Sequence, residues 1–381
     1  MRSKLLSIKV FLTMCLICII GGGNCAWAQD VDVVTVIDVL TADMFTATNT
    51  TYKNFSNVTT STSNAIYAGN SAKNAKGAIQ LRSKNSDSGI VTTTSGGKIQ
   101  KISIVVSSGT NTIDIYGNDE AYSSASDLYD TSTNTNQGTK IGSINKTGEI
   151  TFDADKQYPY IGIRSNSGAI YITSITITYA KTTSLPLTTA QYGTYFTDEA
   201  FVMPEGVTGY TVTAKDGENL TLNEAYTAGT TVPASTALVL KATDELTESK
   251  TFDAVVVNST EVAPTGNLLH GSVAEAQTNV EGATAYYKLA NGDKGLGFYY
   301  GAENGAAFNN GAHKAYLAVT GTMSQMKGFS LDGMTTGINQ VSTANTVNNA
   351  NIYDLNGRRI QSLGAAQKGI YIVGGKKVIV K

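Results

Sequence analysis

The chain has 381 residues, a formal net charge of −2 and charged side chains at 15% of its positions. This near-neutral balance does not favour a nucleic acid or an anionic membrane surface as a partner, because both are bound by dense positive charge. The length is enough for two or three domains with cores of their own.

The first 28 residues have the pattern of an export signal. Positive residues precede an apolar run at 10–20, and Ala26-Trp27-Ala28 forms a small-x-small cleavage site. The apolar run of about 11 residues is shorter than the roughly 20 that a membrane-spanning helix needs. We therefore predict a signal peptide at 1–28 that is removed, and no transmembrane span.

The cysteines are confined to this leader. Cys15, Cys18 and Cys25 are the only three in the chain, so cleavage predicts an exported protein without disulfides or thiolate metal sites. Lipidation of Cys25 is an alternative, although Asn24 stands where bacterial lipoprotein signals have a small residue. We expect the protein at the cell surface or outside the cell, with a periplasmic or lipid-anchored location as the alternative.

Residues 29–181 are predicted to form a first domain. Alternating apolar and polar residues, separated by turn-rich segments, predict half-buried strands at 33–39, 78–82, 99–106, 112–116, 140–144, 160–164 and 170–179. The step from Ile172 to Ile175 breaks the period of two and predicts a bulge. Segment 46–64 reads equally well as a loop or as a polar edge strand. These features are typical of a jelly-roll-like antiparallel β-sandwich.

Residues 181–184 are interpreted as a linker to a second β-rich module at 184–335. Its predicted strands are 210–214, 220–222, 237–241, 252–257, 285–289, 297–300 and 314–319, and pairs such as Asn291-Gly292 suit tight hairpins. The pattern leaves open whether this module is a sandwich or a small barrel. A linker and a small β unit follow at 336–381, with strands at 351–355, 369–373 and 376–381. The predicted fold class is all-β throughout.

The last of these segments carries a resemblance. IYDLNGRR (352–359), KGIYIV (368–373) and the terminal KKVIVK resemble the C-terminal sorting domains of secreted Bacteroidetes proteins of the type IX secretion class. The resemblance implies that this unit is addressed to the export machinery. The segments around YYKLANGDKGLGFYYG (286–301) and YIGIRSNSGAIYITSITITY (160–179) are similar to modules of bacterial surface proteins, the second to jelly-roll domains that resemble carbohydrate-binding modules.

Sugar binding is the favoured function of the first domain. A sandwich binds sugars through exposed rings that stack on pyranose faces and planar polar groups that bond hydroxyls. The loops after Tyr116 and Arg164 supply such groups, and the candidate ligand-binding residues are Tyr116, Asn118, Tyr122, Arg164 and Asn166. The alternative is that these tyrosines only cap the sandwich, and the loss of the single tryptophan with the leader is consistent with that.

A structural calcium ion is the only cofactor that the sequence suggests. Asp119, Asp127 and Asp130 lie in polar loops and offer the oxygen ligands that calcium prefers. They lack EF-hand spacing, so a solvated loop is the alternative.

No catalytic motif is present in the sequence. Only His270 and His313 are available as imidazoles, and neither belongs to a recognisable nucleophile motif. The carboxylate pairs at 127/130 and 153/155 are the only candidates for glycoside hydrolysis. We therefore predict a non-catalytic exported protein that binds a glycan or a host or matrix component. A structural or adhesive protein that contacts only other proteins, and a carboxylate-dependent glycoside hydrolase, are the alternatives.

Overall fold

The computed structural model describes residues 32–45, 51–83, 88–129, 136–152, 157–216, 219–293, 295–320, 326–331, 352–354, 359–360, 368–373 and 376–380. Within these ranges the protein is all-β, and its few helices are short 3-10 turns, as the sequence predicted. No helix in the described ranges is long and apolar enough to cross a bilayer. The chain divides into one unit that ends at Ser330 and another that begins at Leu331.

The N-terminal half of the first unit is built from twelve strands. They are β1 (Asp32–Val33), β2 (Thr35–Thr41), β3 (Lys53–Thr59), β4 (Ile66–Lys73), β5 (Ile79–Arg82), β6 (Gly89–Thr94), β7 (Lys98–Ser108), β8 (Ile113–Asn118), β9 (Thr139–Ile144), β10 (Gly148–Thr151), β11 (Tyr160–Ser165) and β12 (Ala169–Ala180). Short 3-10 helices cover Ala42–Met44 and Ala125–Leu128.

Strands β2 to β12 form two antiparallel layers around one core. The first layer contains β10, β7 and β12, with β2 and β5 both paired to β12, and the second has the order β3-β4-β6-β11-β8-β9. Strand β4 links the layers, because residues 66–70 pair with β6 and residues 72–73 pair with β5. The result is a β-sandwich whose sheet is nearly closed, which confirms the predicted fold class.

The core between the layers consists mainly of isoleucines that alternate along each strand. Ile170, Ile172, Ile175 and Ile177 of β12 are all fully buried, although the spacing changes between Ile172 and Ile175. The pairing of β12 with β7 shifts register at this point. The predicted bulge is therefore confirmed: one inserted residue returns the isoleucines to the inner face.

The segment with two alternative readings contains an edge strand. Residues 53–59 form β3, which pairs with β4 and turns Phe55 into the core, whereas residues 46–50 lie outside the described residues. The polar outer side of this strand explains why its sequence resembles a loop.

A buried carboxylate ties the turn after β3 to strand β2. Asp38 is 0% exposed and accepts hydrogen bonds from four hydroxyls, those of Thr60, Thr62, Ser63 and Tyr67. The last three have donor–acceptor distances of 2.6 Å. Burial alone would raise the pKa of Asp38, but the four hydroxyl donors outweigh it and the pKa is lowered.

The remainder of the first unit contains strands β13 to β27. They are β13 (Thr182–Leu187), β14 (Tyr192–Tyr195), β15 (Ala200–Val202), β16 (Val207–Asp216), β17 (Asn219–Tyr226), β18 (Thr231–Val232), β19 (Leu238–Ala242), β20 (Lys250–Asn258), β21 (Leu269–Ser272), β22 (Ala276–Gln277), β23 (Ala285–Gly292), β24 (Gly295–Tyr300), β25 (Asn309–Asn310), β26 (Lys314–Val319) and β27 (Gly328–Ser330). A 3-10 helix covers Glu303–Gly305.

Two larger sheets organise these strands. One has the order β14-β19-β16-β17-β27-β24-β23-β26-β21, and the other has the order β1-β20-β15-β18, with β13 also paired to β20. Leu185, Phe201, Leu238 and Phe252 belong to the core of this region. The strands predicted for the second β-rich module lie in these sheets, whose described pairings are antiparallel except for the parallel contact of β17 with β27; the module boundaries at 184–335 stay a prediction.

The segment predicted as a linker is a paired strand. β13 begins at Thr182 and pairs with β20 along its whole length. The amide of Lys181 donates to the carbonyl of Val34, and the amide of Val34 donates to the carbonyl of Val256. Strand β1 also pairs with β20. The two predicted domains are thus joined by backbone hydrogen bonds, and the domain boundary at 181–184 stays a prediction.

The second unit contains one small sheet. Its strands are β28 (Ile352–Asp354), β29 (Arg359–Ile360), β30 (Gly369–Val373) and β31 (Lys376–Val380), in the order β29-β28-β30-β31. Three of them match the strands predicted for the C-terminal end. Ile352 and Tyr371 are its buried side chains among the described residues.

Candidate ligand-binding site

The outer face of the second sandwich layer carries a row of polar residues across six strands. The pairing places Asn54 beside Asn70, Asn70 beside Gly89, Arg164 beside Asp114, and Asp114 beside Ser143. Ile163 is opposite Ile90, so Arg164 is next to Gly89. Since side chains alternate along a strand and the neighbouring Phe55, Ile90, Ile163 and Ile113 are in the core, these residues point outward. We call Asn54, Asn70, Gly89, Arg164, Asp114 and Ser143 the polar row.

The loop after β8 covers the face beside the polar row. Tyr122 and Leu128 of this loop pack on Ala68, Val91 and Tyr116 of the sheet. The approach is close because two sheet positions beneath it are glycines. A Cβ atom on Gly162 would lie 2.2 Å from Leu128 Cδ2, and one on Gly89 would lie 2.7 Å from Leu128 Cδ1.

Asp127 holds the loop in shape. Its Oδ2 accepts hydrogen bonds from the amide of Ser123 at 2.6 Å, the hydroxyl of Ser123 at 2.9 Å and the amide of Ser124 at 3.3 Å. This arrangement is a capping box for the 3-10 helix Ala125–Leu128. The helix ends at Leu128, and the hydroxyl of the next residue, Tyr129, donates to the carbonyl of Ser88 at 2.8 Å.

Arg164 is at the centre of the polar row, against two aromatic rings. Its Cζ lies 5.4 Å from the ring centroid of Tyr116 and 4.9 Å from that of Tyr129. These cation–π contacts hold the guanidinium group against the two rings. Its Nε is buried without a hydrogen-bond partner, and no ion pair joins Arg164 to any other described residue. The residue as a whole is partly exposed, so its terminal nitrogens are the donors that a ligand can reach.

The carboxylate next to Arg164 is already satisfied. Asp114 is 2% exposed and pairs with Lys140 at 2.8 Å. It also accepts hydrogen bonds from the hydroxyl of Ser143 at 2.7 Å and the side-chain amide of Asn166 at 3.0 Å. Burial would raise the pKa of Asp114, but these donors, Lys140 foremost, outweigh it and lower the pKa. Asp114 is therefore ionised at neutral pH, and its charge is balanced by Lys140.

A second arginine flanks the same segment of β6. Arg82 is exposed, lies 5.7 Å from the ring centroid of Tyr52, and its backbone amide donates to Ser88 Oγ at 3.1 Å. Burial raises the pKa of Tyr52 to about 12, although the charge of Arg82 opposes this. Arg82 is thus bound to Ser88 through its backbone amide, Arg164 is next to Gly89 by strand pairing, and each arginine side chain lies against tyrosine.

The residues proposed from sequence fall into two groups. Tyr116, Arg164 and Asn166 meet at the polar row, with Tyr116 under the guanidinium and Asn166 bound to Asp114. Asn118 instead fixes the covering loop, because its Nδ2 donates to Asn136 Oδ1 at 2.8 Å. Tyr122 is 1% exposed and its hydroxyl donates to the carbonyl of Gln137 at 2.9 Å.

The covering loop buries the two tyrosine rings that were expected to stack on a sugar. Tyr116 is 3% and Tyr122 1% exposed, so neither presents a free face on which a pyranose ring can stack. In this structure the contribution of Tyr116 is to support Arg164, and we leave Tyr122 out of the site.

The three candidate calcium ligands are not gathered by the described residues. Asp119 is exposed at the start of the loop, Asp127 serves the capping box, and Asp130 lies outside the described residues. Within the described ranges, no cluster of three or more His, Cys, Asp or Glu side chains has the arrangement of a metal site.

The other candidate catalytic groups are placed as follows. His313 Nδ1 is 3.0 Å from the carbonyl oxygen of Phe196. His270 packs against Tyr316, and burial lowers its pKa. Asp153 and Asp155 lie outside the described residues.

Asp114 and Lys140 were not singled out from the sequence. The signal for Asp114 was present, since a charged residue between Ile113 and Ile115 must point away from the core. What the sequence lacks is the strand order that brings β8, β9 and β11 side by side.

Comparison of the chain with protein-family models, with curated proteins and with solved structures finds no match. Function must therefore be argued from the geometry of the polar row.

Proposed function

We propose that the protein is a non-catalytic exported protein of the bacterial surface or its surroundings, and that the polar row binds a glycan or a host or matrix component. The export part of the proposal rests on the leader pattern at 1–28 and on the resemblance of the C-terminal segment to sorting domains. The binding part of the proposal rests on the polar row of the sandwich.

Arg164 is the observation that carries the binding proposal. A guanidinium group costs free energy when it is partly buried without a hydrogen-bond acceptor. Here two tyrosines orient the group, and the neighbouring carboxylate of Asp114 is occupied by Lys140. Preorganised donors without a protein partner favour an external acceptor. Exposed amides at Asn54 and Asn166 border the same face and add planar polar groups that suit sugar hydroxyls.

A binding role fits the chemistry of the row better than hydrolysis does. Hydrolysis requires two carboxylates with separate roles, one of them able to carry a proton. Asp114 is the only acidic member of the row, and its pKa is lowered. This argues against Asp114 as a general acid at neutral pH.

The test is a glycan array probed with the full chain after removal of the leader. We expect binding to a defined subset of plant or host glycans, and its loss in Arg164→Gln. Lys288→Gln is the matched control, because Lys288 is an exposed cation on β23, far along the chain from the sandwich. A blank array with folded protein would contradict glycan binding and favour an adhesive protein that contacts only other proteins.

A further inference from the structure

We propose that the ligand of the polar row carries a carboxylate group, as a uronic acid residue of a glycan does, and that Arg164 binds this carboxylate. The inference rests on the proposed function and names the class of sugar. Its argument comes from the charges around the row.

The first step is the charge balance. Asp114 is paired with Lys140, so neither charge is left over for a ligand. Arg164 and Arg82 have no ion pair with any described residue, and each lies against tyrosine instead. The Ser88–Gly89 segment is therefore flanked by two positive charges without a counter-ion among the described residues, which attracts an anionic group.

The second step is the shape of the acceptor. A guanidinium group offers parallel N–H donors that match the two oxygens of a carboxylate. Tyr116 and Tyr129 hold the Arg164 group between them, so less side-chain entropy is lost when a planar anion binds to it. A neutral sugar would leave the positive charge partly desolvated and unbalanced.

The third step concerns how far water reaches the charge of Arg164. Arg164 is only partly exposed, and the loop that ends at Tyr129 limits the water around it. A charge-assisted hydrogen bond is stronger where solvent is restricted. The carboxylate should therefore contribute more affinity here than at Arg82, which is more exposed to solvent.

The experiment compares an acidic glycan with its neutral form. Binding of the full chain to oligogalacturonate, to the same oligosaccharide after methyl esterification, to dextran and to dextran sulfate is measured by isothermal titration calorimetry. We expect oligogalacturonate to bind about tenfold or more tightly than its ester, since a charge-assisted bidentate pair is lost. Arg164→Gln should abolish this preference, Arg82→Gln should reduce it less, and Lys288→Gln should leave it intact.

The outcomes separate the two proposals. Equal affinity for acid and ester, or binding of dextran alone, would overturn the carboxylate inference but leave glycan binding in place. Binding of dextran sulfate without oligogalacturonate would overturn the choice of carboxylate over sulfate. No binding to any of the four, with the folded state verified by calorimetry, would overturn the carboxylate inference, whereas glycan binding as such would be overturned only by a blank glycan array. If Arg164→Gln fails to fold, Arg164→Lys, which keeps the charge but loses the planar fork, should still weaken the preference.

Discussion

Replacement of Asp38 by asparagine is expected to destabilise the sandwich strongly. The carboxylate of Asp38 accepts hydrogen bonds from four hydroxyls and has no exposed surface. Asp38→Asn keeps the size of the side chain but removes its charge and one acceptor oxygen. The new amide group can only donate, so hydroxyls on that side lose their acceptor or must turn.

The magnitude follows from the number of donors affected. One carbonyl oxygen accepts about two hydrogen bonds, and a buried donor left without a partner costs about 1–3 kcal/mol. This cost applies in full to the Tyr67 hydroxyl and in part to the half-buried Thr60 and Ser63, whereas the exposed Thr62 can turn to water. Partial compensation is available, because the hydroxyls of Thr60 and Thr62 are 3.0 Å apart and those of Tyr67 and Tyr179 are 2.9 Å apart. We therefore expect a loss of about 2–4 kcal/mol in the free energy of unfolding, or roughly 4–12 °C in melting temperature.

Differential scanning calorimetry and urea denaturation of the full chain would measure this loss. Asp43→Asn is the matched control: Asp43 is an exposed carboxylate five positions later whose ion pair with Lys73 lies at the surface. Exposed pairs contribute less than about 1 kcal/mol. If Asp38→Asn costs no more than Asp43→Asn, the four hydroxyl bonds do not stabilise the sandwich and the reasoning is refuted.

Three further expectations concern acidity, the covering loop and calcium. Asp38 and Asp114 both have lowered pKa values, so their contribution to stability is complete above the unfolded pKa of about 3.9 and is lost as the pH falls through the folded pKa. The melting temperature should fall steeply in acid, and less steeply in Asp38→Asn; parallel curves would contradict this. Gly162→Ala should destabilise by about 1–3 kcal/mol because its Cβ would meet Leu128, whereas Gly148→Ala, with Ile144 Cγ2 at 3.5 Å, should have a much smaller effect. EDTA should leave the melting temperature unchanged, since Asp127 is engaged in the capping box. A clear decrease would instead support a calcium ion bound at this loop.

The strands of the sandwich were predictable wherever apolar residues alternate. Ile99 to Val106 and Ile170 to Tyr179 carry that alternation, and both are strands of the first layer. Strands β4 and β6 were missed because their outer residues are small or polar, as in the run IYAGNSAK of β4. Burial of such strands depends on the partners beside them, which local patterning does not encode.

The candidate site was predictable only in part, for a related reason. Arg164 and Tyr116 were found because they lie next to turn-rich loops. The burial of Tyr122 could not be foreseen, since it depends on the covering loop folding back over Gly162 and Gly89. Arg82 joins the site only through the pairing of β4 with both β5 and β6. Residues on neighbouring strands can thus be far apart in sequence, and only topology brings them together.

The pairing of β1 with β20 affects how the chain reaches its native state. Asp32 contacts Asn258 across a sequence separation of 226 residues, so this ladder closes only after most of the first unit has emerged from the ribosome. Contacts between residues so far apart in sequence slow folding, because the conformational entropy of the intervening chain is lost before the ladder forms.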